Sequence, residues 1–331
     1  MNDLKEYLSK SDFVFHLAGV NRPKDEDEFD KGNRGLTEAL VGLMVNKPIP
    51  LLMTSSIQAS LDNPYGASKK AAEASVLKLA RRGVAVYIYR LPNVFGKWCW
   101  PNYNSVVATF CHNIAHDSEI SISDLKAEVS LVYIDDVVSS FIQAMDGSLK
   151  ASGDNFYEIP RQFKISLGEL ASKIRAFRDS RKNLLIPNLE KDFDRFLYAT
   201  YNSYLKVDDF SYVLDMKRDD RGWLAEFIKS EQSGQIFVSR TKPGVSRGNH
   251  WHHTKIEKFL VLDGKADIKF RKVDSKEILI YGVSGDELKV IDIPAGYTHS
   301  ITNIGTDDLI TLFWADELFN PDKPDTYYTE V

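Results

Sequence analysis

Several features that would place a protein outside the cell, in a membrane or on a nucleic acid are missing from this sequence. Only two cysteines, Cys99 and Cys111, are present, which is too few for a disulfide framework. The sequence has no run of about 18 apolar residues, and its first residues lack the apolar segment of a signal peptide. Its net charge of −5 gives no general attraction to nucleic acid or to anionic membranes. We therefore expect a cytoplasmic protein with no nucleic-acid or membrane partner.

Histidine is distributed unevenly along the chain. Four of the seven histidines lie in the last quarter, at His250, His252, His253 and His299. Otherwise the composition is ordinary for a globular protein, and a length of 331 residues is typical of about two domains. The histidine cluster is therefore the compositional feature that points to a specific site.

The first two hundred residues alternate strand-like and helix-like patterns. Short apolar runs at Phe13–Leu17, Ile49–Thr54 and Val84–Tyr89 are separated by segments with helical spacing at Thr37–Val45 and Lys69–Ala80. Alternation of this kind is typical of β-α-β crossovers, so we predict an α/β domain with a parallel sheet.

The pattern changes near residue 205, within the polar stretch 202–209. Beyond it, short strand-like runs follow one another with tight turns and no long helix, which predicts an all-β barrel or sandwich. We therefore expect two domains, 1–205 and 206–331. The predicted strands of the second domain are Gly234–Arg240, Glu257–Leu262, Ala266–Arg271, Glu277–Tyr281, Leu288–Ile293 and Leu309–Trp314.

A serine, a tyrosine and a lysine in the first domain form a candidate catalytic trio. Ser56 follows the strand at Leu51–Met53, Tyr65 comes nine residues later, and Lys69 follows after four, on the same predicted helical face. A phenol has a pKa near 10, and a nearby ammonium favours the phenolate and lowers that pKa. The trio suits protonation of an alkoxide formed by hydride addition to a ketone.

Five motifs in order make the first domain resemble the extended short-chain dehydrogenase/reductase family, the NAD-dependent epimerase/dehydratase group. They are His16–Gly19, Asn33, Ser56 with Pro64–Lys69, Arg90–Gly96 and Val132–Val137. The resemblance implies a Rossmann-like fold, a nicotinamide cofactor, expected to be NADPH, and catalysis by Ser56, Tyr65 and Lys69. The cofactor-binding residues that it implies are Leu17, Ala18, Gly19, Asn33, Tyr65, Lys69, Arg90 and Asn93.

The sequence departs from that family at its beginning. The family opens with a strand, a glycine-rich loop and a helix that hold the dinucleotide phosphates, but here the strand that resembles the family's fourth begins at Phe13. Gly32–Gly35 is no substitute, because no strand precedes it. We therefore expect an N-terminally truncated Rossmann-like domain that is poorly stable and binds dinucleotide weakly or not at all.

The histidine cluster has the spacing of a metal site. His250 and His252 lie two residues apart, so they face the same side of a regular strand, and Glu257 begins the next predicted strand. With His299 from a distant strand, three imidazoles and a carboxylate form a set suited to zinc, iron, manganese or nickel. His253 would face the opposite side, as a supporting or rim residue.

These ligands stand within two motifs that resemble those of the cupin family. The first motif runs from Gly244 to Gly264, and the second is formed by Pro294, Gly296, His299 and Asn303, with its early glycine displaced. The resemblance implies a cupin barrel. Because some sugar-nucleotide cupins are metal-free and use histidine as a base, a site without metal remains an alternative.

A short-chain reductase joined to a C-terminal cupin resembles the bifunctional enzymes of capsular polysaccharide biosynthesis. That resemblance implies a zinc-binding homodimer on the route to UDP-N-acetyl-L-fucosamine. The cupin would epimerise C3 of a UDP-2-acetamido-2,6-dideoxy-4-hexulose, and the reductase would reduce C4 with NADPH to give UDP-N-acetyl-L-talosamine. The segments that carry the likeness include Gly19–Pro23, Ser55–Ala59, Phe95–Cys99, Pro101–Ser105, Gly248–His253 and Pro324–Tyr327.

Two alternatives remain at this point. The first is a cupin-only sugar-nucleotide epimerase or isomerase whose reductase half is a remnant. The second is a non-enzymatic metal- or sugar-binding module on a degraded Rossmann scaffold.

Overall fold

The computed structural model describes residues 2–331, with side chains from Leu4 onward. The chain divides into two compact units. One contains the residues up to Ile174 together with Arg195–Lys206, and the other contains Arg175–Asp194 and Val207–Val331. Within the described chain, every helix is too short or too polar to span a lipid bilayer.

The first unit is built from helices and mostly parallel strands. A π-helical turn at Asp30–Gly35 leads into the third helix, and a 3-10 turn at Ile57–Ser60 follows the second strand. The helices are α1 (Asn2–Ser9), α2 (Asp27–Phe29), α3 (Leu36–Met44), α4 (Pro64–Ala80), α5 (Val106–Ala115) and α6 (Ile134–Asp146). The strands are β1 (Val14–His16), β2 (Leu51–Ser56), β3 (Val86–Leu91), β4 (Asn93–Phe95), β5 (Glu128–Tyr133), β6 (Phe156–Tyr157) and β7 (Phe163–Ser166). Two further helices, α7 (Leu167–Asn183) and α8 (Asp192–Asn202), each contain residues of both units.

The central sheet of the first unit has the strand order β1-β2-β3-β6, and all of its pairs are parallel. A smaller sheet, β4-β5-β7, combines a parallel and an antiparallel pair. Leu51 and Ile88 are completely buried against Met44 of α3 and Val76 of α4. Because parallel strands end at the same edge of a sheet, the residues after His16 and those around Ser56 and Leu91 lie together.

The second unit consists of two antiparallel sheets. The strands are β8 (Met216–Asp219), β9 (Gly222–Ser230), β10 (Gly234–Thr241), β11 (Ser246–Trp251), β12 (Glu257–Asp263), β13 (Lys265–Lys272), β14 (Ile278–Ser284), β15 (Val290–Ile293), β16 (Tyr297–Asn303), β17 (Leu309–Ala315) and β18 (Tyr327–Tyr328). The strand orders of the two sheets are β15-β12-β17-β10-β9-β8 and β14-β13-β16-β11-β18. A buried apolar cluster that includes Phe259, Ile268, Ile301 and Phe313 contains residues of both sheets. The predicted fold, a Rossmann-like α/β region followed by an all-β region of cupin type, is confirmed.

Candidate functional site

The structure brings Ser56, Tyr65 and Lys69 together at the carboxyl edge of the central sheet. Ser56 ends β2, and its hydroxyl lies close enough to Tyr65, in the first turn of α4, to affect the pKa of that phenol. Asn63 caps that helix, because its side chain accepts a hydrogen bond from the Gly66 N–H at 2.7 Å. The Lys69 Nζ lies 5.9 Å from the centre of the Tyr65 ring and donates to the main-chain oxygen of Thr54 at 3.3 Å.

The pKa of Tyr65 differs from our expectation. We expected the neighbouring ammonium to lower it, but burial raises the pKa of Tyr65 above 10 and outweighs the influence of the nearby Ser56 hydroxyl, which lowers it. Burial also lowers the pKa of Lys69, although the Glu73 carboxylate opposes this change. Tyr65 is therefore a protonated phenol at neutral pH, which is the form that a proton donor requires.

The loop after β1 places three of the predicted cofactor residues beside Lys69. Leu17, Ala18 and Gly19 are exposed, and a Cβ on Gly19 would lie 2.8 Å from the Lys69 Nζ and 2.9 Å from the Asn33 Oδ1. Asn33 is buried and binds both the N–H and the carbonyl of Val20, at 2.8 and 2.9 Å. Asn33 thus holds in place the loop on which the exposed residues 17–19 lie.

Arg90, also predicted to bind the cofactor, is engaged by a carboxylate that sequence reasoning missed. The guanidinium forms a bidentate ion pair with Glu73, with distances of 2.9 and 2.7 Å. Glu73 is 2 % exposed and also accepts a hydrogen bond from the Ser55 hydroxyl at 2.5 Å. The sequence signal for Glu73 is its spacing, because a carboxylate four residues after Lys69 lies on the same helical face.

Asn93, the last of the predicted cofactor residues, lines a separate cavity. Its side chain is exposed, and its Nδ2 donates to the main-chain oxygen of Ser130 at 3.3 Å. The cavity has a volume of about 400 Å³, and its wall includes Lys97 and Trp98.

In the second unit, the four predicted metal ligands converge. One donor atom from each of His250, His252, Glu257 and His299 lies within 4.8 Å of the others. His250 pairs directly with His299 across β11 and β16, and Glu257 begins β12. The Glu257 Oε2 lies 3.2 Å from the His252 Nε2 and 3.4 Å from the His299 Nε2.

A bulge in β11 shapes this convergence. The strand register shifts between Gly248 and His250, and Asn249 adopts a left-handed conformation with a φ of 58°. A Cβ on Gly248 would lie 2.7 Å from the His299 carbonyl oxygen, so only glycine allows this close approach. His253 is exposed, with its ring edge-on to Trp251.

The donor set fits a divalent cation. The Nε2 atoms of His252 and His299 are buried without a hydrogen-bond partner, which is costly unless a ligand satisfies them. Burial and the two neighbouring imidazoles lower the pKa of His250 to about 4, so its ring is neutral at pH 7 and able to coordinate a metal. Although burial raises the pKa of Glu257, contacts with His252 and His299 outweigh it and hold this carboxyl ionised.

The C-terminal segment around Asp325 supports the cluster. The His252 Nδ1 lies 2.5 Å from the Asp325 main-chain oxygen. The Asp325 carboxylate accepts hydrogen bonds from the main-chain N–H groups of His253, Thr254 and Lys255, at 2.8, 2.8 and 2.9 Å. Despite its partial burial, these bonds lower the pKa of Asp325 well below its usual range.

The four candidate metal ligands lie beside a cavity of about 300 Å³. His250, His252 and Glu257 form part of its wall, together with Lys255 and Thr326. Lys255 and Asp325 were not predicted, because nothing in their sequence spacing indicates that they meet.

Comparison with known proteins relates both regions to polysaccharide biosynthesis. Residues 1–158 match the NAD dependent epimerase/dehydratase family, and residues 217–327 match the polysaccharide biosynthesis C-terminal domain. The UDP-2-acetamido-2,6-beta-L-arabino-hexul-4-ose reductase of Pseudomonas aeruginosa is 47% identical over 334 residues, covering 100% of this chain and 89% of that protein.

Solved structures agree with this relationship. The capsular polysaccharide assembling protein CapF of Staphylococcus aureus superposes with a TM-score of 0.91 at 47% identity, covering 100% of this chain and 90% of that one. The UDP-glucuronic acid 4-epimerase of Bacillus cereus, at 17% identity and a TM-score of 0.51 over 61% of this chain and 78% of that one, shares the fold. The chain therefore belongs to the family of CapF-like capsular polysaccharide biosynthesis proteins, in which an NAD-dependent epimerase/dehydratase region precedes a polysaccharide biosynthesis C-terminal domain.

Proposed function

We propose that the chain is a bifunctional sugar-nucleotide enzyme of capsular polysaccharide biosynthesis. Its C-terminal unit epimerises C3 of a UDP-2-acetamido-2,6-dideoxy-4-hexulose, and its N-terminal unit reduces the C4 ketone to give UDP-N-acetyl-L-talosamine, a step toward UDP-N-acetyl-L-fucosamine. The name of the Pseudomonas aeruginosa relative, a reductase of a UDP-linked 4-hexulose, supports this substrate class.

The observation that carries the reductase assignment is the meeting of Ser56, Tyr65 and Lys69. A reduced nicotinamide, with NADPH as our expectation, supplies a hydride when bound. The Ser56 hydroxyl is placed to hold the ketone oxygen, and the protonated Tyr65 donates its proton to the alkoxide. The Lys69 ammonium lies close enough to favour the resulting phenolate. Residues 17–19, Asn33, Arg90 and Asn93 complete the proposed cofactor side of the site.

The C-terminal unit supplies a second, separate chemistry. The C3 proton of the substrate is acidified by the adjacent ketone, so a base and a stabilised oxyanion are sufficient for epimerisation. His250, His252, Glu257 and His299 would hold the metal, which we propose to be zinc, and a bound cation would add positive charge to the cavity. The supporting observation is the pair of buried Nε2 atoms that lack hydrogen-bond partners.

Both activities can be measured on the full chain with the UDP-4-hexulose as substrate. In deuterated buffer we expect deuterium to enter C3, as detected by NMR. When NADPH is added, we expect its oxidation, measured as a loss of absorbance at 340 nm. Tyr65→Phe should abolish this oxidation. Tyr7→Phe, which changes an exposed tyrosine, should leave it intact. NADPH oxidation that survives in Tyr65→Phe would contradict the reductase mechanism, and absence of exchange at C3 would contradict the epimerase.

A cupin-only epimerase is the second candidate, and it is favoured specifically by the convergence of all four metal ligands. Exchange at C3 without any NADPH oxidation would support it.

We further propose a cytoplasmic homodimer. Sedimentation and metal analysis of the purified protein should give twice the 37.6 kDa chain mass and one zinc per chain.

A further inference from the structure

Lys255 is a buried cation without an acidic partner. Its side chain is 7 % exposed, and its Nζ donates to the Thr326 hydroxyl at 3.2 Å. In the part of the chain that the structure describes, no carboxylate oxygen lies within the 4.0 Å of Nζ that an ion pair requires. A buried ammonium is costly unless a counter-charge compensates it, so this position indicates an anionic ligand.

The surroundings of Lys255 show where that ligand lies. Lys255 lines the cavity of about 300 Å³ onto which His250, His252 and Glu257 also open. Lys217, another lysine of the same wall, is already paired with Glu226, and the carboxylate also binds Lys229. Glu257 and Glu317 also line the cavity, but neither carboxylate lies within 4.0 Å of the Lys255 Nζ, so Lys255 is the lysine of this wall without an ion pair.

The residue is also held in a fixed position. Its main-chain N–H donates to the Asp325 carboxylate at 2.9 Å, while its Nζ reaches the adjacent Thr326. Two consecutive residues of the C-terminal segment thus hold both ends of Lys255. A charge that is positioned before the substrate arrives stabilises a transition state without reorganisation.

We propose that Lys255 is a catalytic residue of the C-terminal cavity, where its ammonium binds the oxyanion that forms at C4 during epimerisation. The proposal rests on the proposed function. The C3–H bond breaks and its proton passes to a basic side chain of the cavity, while the electron pair forms a C3–C4 double bond and the carbonyl π electrons move to the C4 oxygen. Return of a proton to the other face of C3 restores the ketone, so no atom is gained or lost.

Lys255→Met tests this role, because it keeps the length of the side chain and removes its charge. We expect kcat for deuterium exchange at C3 to fall about 10²- to 10³-fold, the usual cost of losing an oxyanion donor. The affinity for UDP by calorimetry, the zinc content and the thermal midpoint should stay unchanged. Lys255→Arg should retain more activity, and Lys258→Met, at an exposed lysine paired with Asp292, should behave like wild type.

The outcomes separate this proposal from the proposed function. Exchange in wild type that Lys255→Met does not slow would overturn the role of Lys255 and leave the epimerase intact. Weaker UDP binding with an unchanged kcat would also overturn it, because Lys255 would then bind the diphosphate. If wild type shows no exchange, both the epimerase and the oxyanion role are wrong.

Discussion

The imidazole of His252 donates a hydrogen bond from Nδ1 to the main-chain oxygen of Asp325, across 2.5 Å. This bond fixes the orientation of the ring, and Nε2 is the atom that faces Glu257. The Asp325 carboxylate in turn binds three consecutive main-chain N–H groups. A segment more than seventy residues away in sequence therefore fixes the position of His252, one of the candidate metal ligands.

Replacement of Asp325 should weaken metal binding without removing a ligand. In Asp325→Ala the three N–H groups lose their acceptor, so the His252 loop is no longer fixed. We expect a 10- to 100-fold loss of zinc affinity, the usual effect of removing such support, measured by competition with a chelating dye. Asp322→Ala, at an exposed position in the same segment, is the control. Equal affinities in the two variants would show that Asp325 does not position His252.

Removal of metal should destabilise the C-terminal unit. Without a cation, the buried Nε2 atoms of His252 and His299 have no partner, and binding to the folded state adds about 4 kcal/mol at 1,000 times Kd. We expect chelation to lower the thermal midpoint by several degrees and zinc to restore it. His299→Ala should abolish this response, whereas His253→Gln, which changes an exposed ring, should retain it. A midpoint that chelation leaves unchanged would count against a stabilising metal.

Much of the fold could be predicted from hydrophobic spacing, and one strand that this spacing does not indicate, β16, has a physical explanation. The predicted run Gly234–Arg240 differs from β10 by a single residue, because its apolar residues follow a pattern that indicates a strand. Hydrophobic spacing does not indicate β16, which only the metal-ligand spacing placed on a strand at His299, because Thr298, His299, Ser300 and Asn303 are polar yet buried. Buried polar residues are stabilised by tertiary hydrogen bonds, which the sequence does not show. A run of such residues therefore resembles a loop when only the sequence is considered.

The candidate sites were predictable where they depend on local geometry. Tyr65 and Lys69 lie four residues apart, so a helix alone brings them together. The raised pKa of Tyr65 depends on how deeply α4 packs, which spacing does not reveal. Likewise, Lys255 meets Thr326 only because two strands distant in sequence are adjacent in the sheet, β11 and β18.

Loss of the Glu73 charge should destabilise the N-terminal unit. Glu73 is buried and neutralises Arg90, while its negative charge also favours the ammonium form of Lys69. Removing one partner of a buried ion pair costs about 3 to 5 kcal/mol, which we reduce to about 3 because Arg90 is partly exposed. Urea unfolding of Glu73→Gln should show this loss.

The matched control for this variant is Glu38→Gln, which removes an exposed carboxylate 3.7 Å from Arg34. An exposed helix pair contributes about 0.5 kcal/mol or less. Adding Arg90→Met to Glu73→Gln should recover part of the stability, since the guanidinium is then no longer left without its partner. Equal losses for Glu73→Gln and Glu38→Gln would contradict the structural role of Glu73.

His16 should make the stability of the N-terminal unit depend on pH. Its Nε2 lies 2.8 Å from the Thr37 hydroxyl oxygen, whose own proton is donated to the Asn33 carbonyl, so the neutral His16 ring is the donor. Burial, assisted by the positive charge of Lys69, lowers the pKa of His16 from 6.5 to about 4. The unfolded chain therefore binds a proton below pH 6.5 that the folded chain accepts only near pH 4. The contribution of the neutral His16 ring to the free energy of unfolding is complete above pH 6.5. It is lost as the pH falls toward 4, by about 3 kcal/mol in all.

His16→Gln keeps a side-chain N–H donor but cannot titrate, so it isolates this contribution. Urea unfolding monitored at pH 7.0 and pH 4.5 should show a smaller loss of stability on acidification in His16→Gln than in wild type. His253→Gln removes an exposed imidazole of the other unit and should keep the wild-type dependence on pH for the N-terminal unit. If His16→Gln and wild type lose equal stability between these two pH values, His16 is not the group whose protonation weakens the fold.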